Sequence, residues 1–140
     1  MVNQPIVQDV MTRDPATVAP SDSIRVAIER MRDRKCRRLP VMEQDRLVGI
    51  VSDRDMRRAT NSPLVLRERW YDEFMLDRIP VRACMSATPT TVAPQTSIAE
   101  AAKIMRDRKI GGLPVLEADR LVGIVTETDL LDFLIRSLER

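Results

Sequence analysis

Leu47-Val48-Gly49-Ile50-Val51-Ser52-Asp53-Arg54-Asp55 returns 74 residues later as Leu121-Val122-Gly123-Ile124-Val125-Thr126-Glu127-Thr128-Asp129. Each stretch opens as a short run of branched apolar residues, the composition of a buried strand. Each then passes through a hydroxyl residue into charged sequence. Outward from this pair, Met11 to Asp55 reads onto Met85 to Asp129 at the same offset without a gap. Thr17-Val18-Ala19-Pro20 falls on Thr91-Val92-Ala93-Pro94, and Met31-Arg32-Asp33-Arg34-Lys35 on Met105-Arg106-Asp107-Arg108-Lys109. Leu39-Pro40-Val41 falls on Leu113-Pro114-Val115. The chain is therefore a duplicated supersecondary unit.

Each copy reads as helix, strand, strand, helix. Ser21 or Asp22 can cap a helix whose apolar positions Ile24, Ala27, Ile28 and Met31 keep helical spacing. Thr96 or Ser97 does the same for Ile98, Ala101, Ala102 and Met105. Leu39 to Met42 reads as a short strand with its proline at the start or on an edge. Glu43 to Arg46 is turn-like, and Leu47 to Val51 is the buried strand. The second copy closes with Leu130, Leu131, Leu134, Ile135 and Leu138 at helical spacing. These limits give repeats at 7–58 and 83–140 and a connector at 59–82. The connector opens on the breaker cluster Thr60-Asn61-Ser62-Pro63, continues into a helical stretch over 64–76, and is long enough to cover apolar surface.

Composition narrows the chemistry. The 140 residues include no histidine and two cysteines, Cys36 and Cys84, whose spacing matches neither a zinc site nor a redox pair. Histidine general bases and most Ser-His or Cys-His nucleophiles are thereby excluded. A net charge of +2 implies no electrostatic partner. No apolar segment approaches the roughly 18 residues needed to cross a bilayer, and the amino terminus lacks the pattern of a signal peptide. A cytoplasmic, reducing location is expected.

Both copies spell Gly, two apolar residues, Ser or Thr, two variable residues, Asp. A hydroxyl at a strand end and a carboxylate one turn into the following helix meet at the corner where that helix presents its free N–H groups and positive end. Such a corner favours phosphate, and an ionised aspartate can accept two bonds from a ribose diol. The plainer alternative is that Ser52 and Thr126 are N-caps, with Asp55 and Asp129 as their capping-box partners.

The duplicated unit resembles the CBS domain, and the resemblance covers almost the whole chain outside the connector. The helix, the Leu-Pro-Val strand, the Leu-Val-Gly-Ile-Val strand and the closing Ser/Thr-x-x-Asp match in both copies. The placement of the connector resembles the small bacterial CBS-pair proteins of the acetoin-utilisation type. The resemblance implies a Bateman module: an α/β fold of two tandem β-α-β-β-α units packed sheet to sheet about a pseudo-twofold axis, with two clefts. One cleft is expected to hold Ile50, Ser52, Arg54 and Asp55 with Thr90, Ile110, Gly111, Gly112 and Pro114. The other is expected to hold Ile124, Thr126, Thr128 and Asp129 with Ala16, Cys36, Arg37, Arg38 and Pro40. The ligand implied is an adenine nucleotide or S-adenosylmethionine acting as a regulator, with Mg2+ if it is ATP. Aspartate takes the ribose, Ser or Thr a phosphate, and the apolar residues the base. Since Arg37-Arg38 becomes Gly111-Gly112 in the second copy, the Thr126/Asp129 cleft is expected to prefer phosphate-rich ligands. Neither a catalytic residue nor a metal ligand is expected.

Other features have blander readings. The basic run Arg30 to Arg38 is interrupted by Asp33 and lacks stacking aromatics, which argues for a solvated or phosphate-binding face over nucleic acid. Met31, Met42, Met56, Met85 and Met105 read as core filler. Cys36 aligns with Ile110, so a small apolar role outweighs a reactive one. Trp70 and Tyr71 can cap apolar surface or an interface. The closing helices offer a face for a homodimer. An adaptor with degenerate clefts, bound to an unknown protein target, is the alternative function.

Overall fold

The computed structural model describes residues 4–60 and 69–139, without the side chains of 69–73. The breaker residues Asn61 to Pro63, the helical expectation for 64–68 and the covering role of Trp70 and Tyr71 lie outside the described residues. In chain order the elements are β1 (Thr12–Arg13), α1 (Ile24–Arg34), β2 (Arg38–Glu43), β3 (Arg46–Ser52), α2 (Asp53–Thr60), α3 (Arg69–Arg78), β4 (Ser86–Ala87), α4 (Ile98–Arg108), β5 (Gly112–Glu117), β6 (Arg120–Thr126) and α5 (Glu127–Leu138). Short 3-10 turns at Val7–Asp9 and Val81–Ala83 precede β1 and β4.

The helices begin and end where local chemistry dictates. Ser23, rather than Ser21 or Asp22, caps α1 by accepting the Val26 N–H at 3.3 Å. Asp22 instead accepts the Ala19 N–H at 2.8 Å in the preceding turn. Ser97 caps α4 through Glu100, and the repeat offset places it on Ser23. Both helices end on a lysine, Lys35 or Lys109, in the left-handed conformation, and the next N–H reaches back to Met31 or Met105.

The hairpins β2–β3 and β5–β6 turn through Gln44-Asp45 and Ala118-Asp119, four residues with φ between 50° and 63°. Two consecutive left-handed residues make the two-residue turn whose twist matches paired strands. In β2–β3, Val41 opposes Gly49 and Met42 opposes Leu47, so Val48 is an extra residue and the strand bulges. The second hairpin repeats the irregularity between Val115 and Leu116. Pro40 lies on the edge strand β2, where its missing N–H breaks no ladder bond. Its carbonyl accepts Val18 N–H at 3.1 Å.

The duplication and the compact bodies divide the chain at different places. One compact unit is Ala16–Thr88; the other joins Met1–Pro15 to Pro89–Arg140. The reason lies in the third strand of each sheet. The sheet of the first hairpin runs β2-β3-β4, completed by the strand that follows the connector. The sheet of the second runs β1-β6-β5, completed by the strand near the amino terminus. The leader segment of each repeat thus finishes the sheet of the other. Nothing in the repeat offset announces this exchange.

In Ala16–Thr88, α1 and α2 cover one sheet face, burying Ile24, Ala27, Met31, Leu39, Val41, Val51 and Met56 together. The connector helix α3 adds Leu76 to this core and is tied to α1 by Arg25 and Asp77 at 2.6 Å. In the other unit Ala101, Met105, Leu113, Val115 and Val125 form the matching core, with Leu130 packed against it.

Each leader crosses its central strand at a glycine. A Cβ on Gly49 would lie 2.7 Å from Met85 Sδ and 2.9 Å from the Ser86 carbonyl oxygen. On Gly123 it would lie 2.7 Å from Met11 Sδ and 2.8 Å from the Thr12 carbonyl oxygen. The methionine can yield but the backbone oxygen cannot, so Gly123→Ala must push β1 away from β6. The expected cost is about 1–3 kcal/mol, read as a lower urea midpoint with an unchanged slope.

Candidate functional site

Alternation along the strands sorts the expected site residues. Leu39, Val41 and Val51 face the helices and are fully buried. Their neighbours Arg38, Pro40, Ile50 and Ser52 lie on the opposite sheet face, with Arg38 directly across from Ser52 and Pro40 from Ile50. In the other unit Gly112, Pro114, Ile124 and Thr126 repeat the arrangement, Gly112 across from Thr126 and Pro114 across from Ile124. Eight of the expected residues therefore form two equivalent strips on the sheet faces turned away from the helices.

At the end of each strip stands the strand-to-helix corner. Ser52 Oγ accepts the Asp55 N–H at 3.1 Å, while Asp55 Oδ2 accepts the Ser52 N–H at 2.9 Å. Asp129 Oδ2 accepts the Thr126 N–H at 2.8 Å and the Thr126 hydroxyl at 3.1 Å. The Asp129 N–H points back to Thr126 Oγ1 at 3.4 Å. Both corners are reciprocal capping boxes, so the plainer reading of these residues describes their local bonding. It does not exhaust their chemistry. In each box the aspartate spends Oδ2, and Oδ1 has no partner among the described residues.

The segment before each hairpin is bound into the same corner. Arg37 accepts the Asp53 N–H at 3.0 Å and Gly111 accepts the Glu127 N–H at 3.0 Å, both through backbone carbonyls. This holds Arg37-Arg38 beside Ser52 in one unit and Gly111-Gly112 beside Thr126 in the other. Arg54 and Thr128 are exposed on the first turns of α2 and α5. Thr90 Oγ1 accepts from Arg108 at 2.9 Å; its counterpart Ala16 has no hydroxyl and packs against the core. Each cleft expected from sequence takes one half from each compact unit, and each half is placed here within its own unit.

Cys36 and Ile110 are half-buried neighbours of equivalent cores. Burial raises the Cys36 thiol pKa against the lowering effects of the Arg38 backbone and the Arg34 charge. The small apolar role expected for Cys36 is the one it fills. Cys84 is likewise raised, by burial first and then by Asp55. Among the described residues, no group of three or more acidic or cysteine side chains could hold a metal ion. No helix among them is long and apolar enough to cross a membrane.

The Asp129 carboxyl has a displaced titration. Burial raises its pKa, partly opposed by its bonds from Thr126. It therefore takes up its proton at a higher pH in the folded chain than in the unfolded one. Its contribution favours folding below the unfolded value and is lost as pH rises through the raised folded value. In urea titrations, the stability of wild type relative to Asp129→Asn should grow as pH falls through that window. A difference that stays flat or shrinks there would contradict the displacement.

Known proteins share this organisation. The CBS domain family profile matches residues 7–62 and 81–136. A CBS domain-containing protein of Dictyostelium discoideum is 39% identical over 137 residues, 96% of this chain and 94% of that protein. AcuB, an acetoin utilization protein from Vibrio cholerae, superposes with a TM-score of 0.78 at 33% identity, covering 98% of this chain and 95% of its own. CBSX2 of Arabidopsis thaliana, solved in complex with AMP, superposes at 0.76 and 28% identity over 94% of this chain and 97% of that one. With two copies of the signature helix, hairpin and closing corner, matched over most of its length, this chain belongs to the CBS domain family as a CBS pair.

Proposed function

We propose that this CBS pair is a cytoplasmic regulatory module that binds an adenine nucleotide and carries out no catalysis of its own. The observation that supports this most is the duplicated corner. Twice, in register, a hydroxyl and an aspartate are fixed at a helix start with one carboxylate oxygen unspent. That oxygen can accept from a ribose hydroxyl, while the hydroxyl and the first-turn N–H groups favour phosphate. Arg37 and Arg38 add charge for phosphates, with Ile50, Ile124, Pro40 and Pro114 as apolar contacts for the base. Thr90, Ile110, Gly111, Gly112, Ala16, Cys36, Arg54 and Thr128 complete the two expected half-site pairs. AMP in CBSX2 supports the ligand class; a triphosphate would bring Mg2+ with it. The repeats at 7–58 and 83–140 are the functional units in this reading, with 59–82 as connector. Regulation requires that the ligand favour one arrangement of the protein over another, which a protein target would then sense.

A thermal-unfolding series with AMP, ADP, ATP and S-adenosylmethionine tests the reading. A ligand at about 100 times its Kd adds roughly 2.7 kcal/mol, several degrees for this chain length. Asp129→Ala should abolish the shift if the Thr126/Asp129 half-site carries binding. No shift with any compound would favour an adaptor that binds a protein partner through its surface alone.

The module is proposed to act as a homodimer through α5. Leu131, Leu134, Ile135 and Leu138 are 57%, 50%, 50% and 75% exposed along that helix, a stripe too apolar for open solvent. Light scattering should give twice the chain mass, and Leu134→Glu should halve it while the circular dichroism stays unchanged. A wild-type chain at single mass over micromolar concentrations would remove the dimer.

A further inference from the structure

The two units repeat one fold, so wherever their side chains diverge the fold itself sets no demand. The sharpest divergence lies on the helix side of the sheet, away from the strip of Arg38, Pro40, Ile50 and Ser52. In Ala16–Thr88 a groove of about 350 Å3 runs between α1 and α2. Its apolar wall is Ile28, Met31, Met56 and Leu76, the last supplied by the connector helix α3. Arg32, Arg37 and Arg57 also line it, against a single carboxylate, Asp53. Arg57 reaches Asp53 at 3.3 Å, while Arg32 and Arg37 have no side-chain partner among the described residues.

The equivalent groove between α4 and α5 shows what the fold supplies without these charges. It measures about 700 Å3 and is lined by Ile98, Ala102, Met105 and Leu130, with Arg106 as the one cation among the described residues. Gly111 and Leu131 stand where Arg37 and Arg57 stand. The unit therefore folds around a groove of this kind with neither arginine. In Ala16–Thr88 the groove is smaller, and among the described residues three arginines and one carboxylate line its apolar cleft. Arg32, Arg37 and Arg57 are exposed at the rim of the apolar wall, so an anionic head can take forked hydrogen bonds from them while its body leaves water.

We propose that the α1–α2 groove binds a small amphiphilic organic anion, with its aliphatic or aromatic body against Ile28, Met31, Met56 and Leu76 and its head among Arg32, Arg37 and Arg57. A volume of about 350 Å3 falls at the lower end of small-molecule sites, which are mostly apolar with a few convergent polar groups. Carboxylate and phosphate heads share the chemistry that these arginines recognise. This site is separate from the nucleotide reading, although Cys36 and Arg37 figure in both, so the test turns on Arg57.

Calorimetry of the full chain with decanoate, decyl phosphate and decanol decides the matter. The two anions should each saturate one site per chain, the tighter of them naming the head group, and decanol should bind at least about tenfold more weakly. Arg57→Leu, which installs the residue found in the twin unit, should weaken both anions by about tenfold or more, the worth of a charge-assisted hydrogen bond. It should leave decanol unaffected, and Arg57→Lys should restore part of the loss. Unfolding in urea verifies that each variant is folded. Decanol binding as tightly as decanoate would overturn the proposal. So would unchanged anion affinity in folded Arg57→Leu, or stoichiometric displacement of decanoate by AMP, which would place the anion in the nucleotide site.

Discussion

The structure depends on a close approach at two glycines. Gly49 and Gly123 sit in the central strands, and the backbone of an incoming leader strand passes inside the van der Waals contact distance of any Cβ there. Because that space is empty, β4 and β1 can pair with β3 and β6, and Met85 and Met11 can lie over them. Without the third strand each sheet is a bare hairpin, a form marginal in water. The third strand also carries with it the 3-10 turn that buries Val81 in one unit and Val7 in the other. The exchange of leaders, the two compact bodies and the position of the connector all follow from this contact.

The corners owe their value to the economy of the capping box. One aspartate oxygen and one hydroxyl complete a closed ring of hydrogen bonds, which immobilises both side chains before any ligand arrives. The second oxygen is then presented in a fixed direction from a fixed backbone. Pre-set geometry of this kind lowers the ordering cost of recognition. The capping bonds of Ser52/Asp55 and Thr126/Asp129 are thus compatible with the proposed binding role: on that proposal the cap aims the carboxylate. The units diverge in what surrounds the corner, with a pair of arginines in one and a pair of glycines in the other.

Much of this was legible in the residues themselves. Periodicity located both helix–hairpin–helix cores, since Ile24, Ala27 and Met31 mark a helix face as clearly as Leu47 to Val51 mark a strand. The repeat offset located both corners, because only a duplicated signal separates Ser-x-x-Asp from the many ordinary caps that share it. The sequence points to Ser21 or Asp22 as the cap of α1, one or two residues before Ser23, because three adjacent side chains there have equal capping strength. The extended backbone of Ser23 and its bond from the Val26 N–H select it. Strand exchange was invisible for a deeper reason. Met11 and Met85 occupy equivalent places, so each leader suits either hairpin, and chain geometry rather than sequence preference assigns it. The charged groove is not legible in the sequence, because its arginines lie apart in the chain, at 32, 37 and 57, and converge only once α1 and α2 share a sheet.

The traded leaders bear on how such a molecule came to exist. A chain of half the length, with one leader and one hairpin, could finish its sheet in this manner only by lending its leader to a second copy and borrowing one in return. Fusing two such copies end to end turns that reciprocal loan into an internal one. The chain's own tether then replaces protein concentration as the force that keeps the strands together. Each half is also made hostage to the other: a cut between the repeats would leave two fragments, each holding the strand that its neighbour needs. Once fused, the copies are free to diverge, one gathering arginines and the other apolar surface, without either losing its partner.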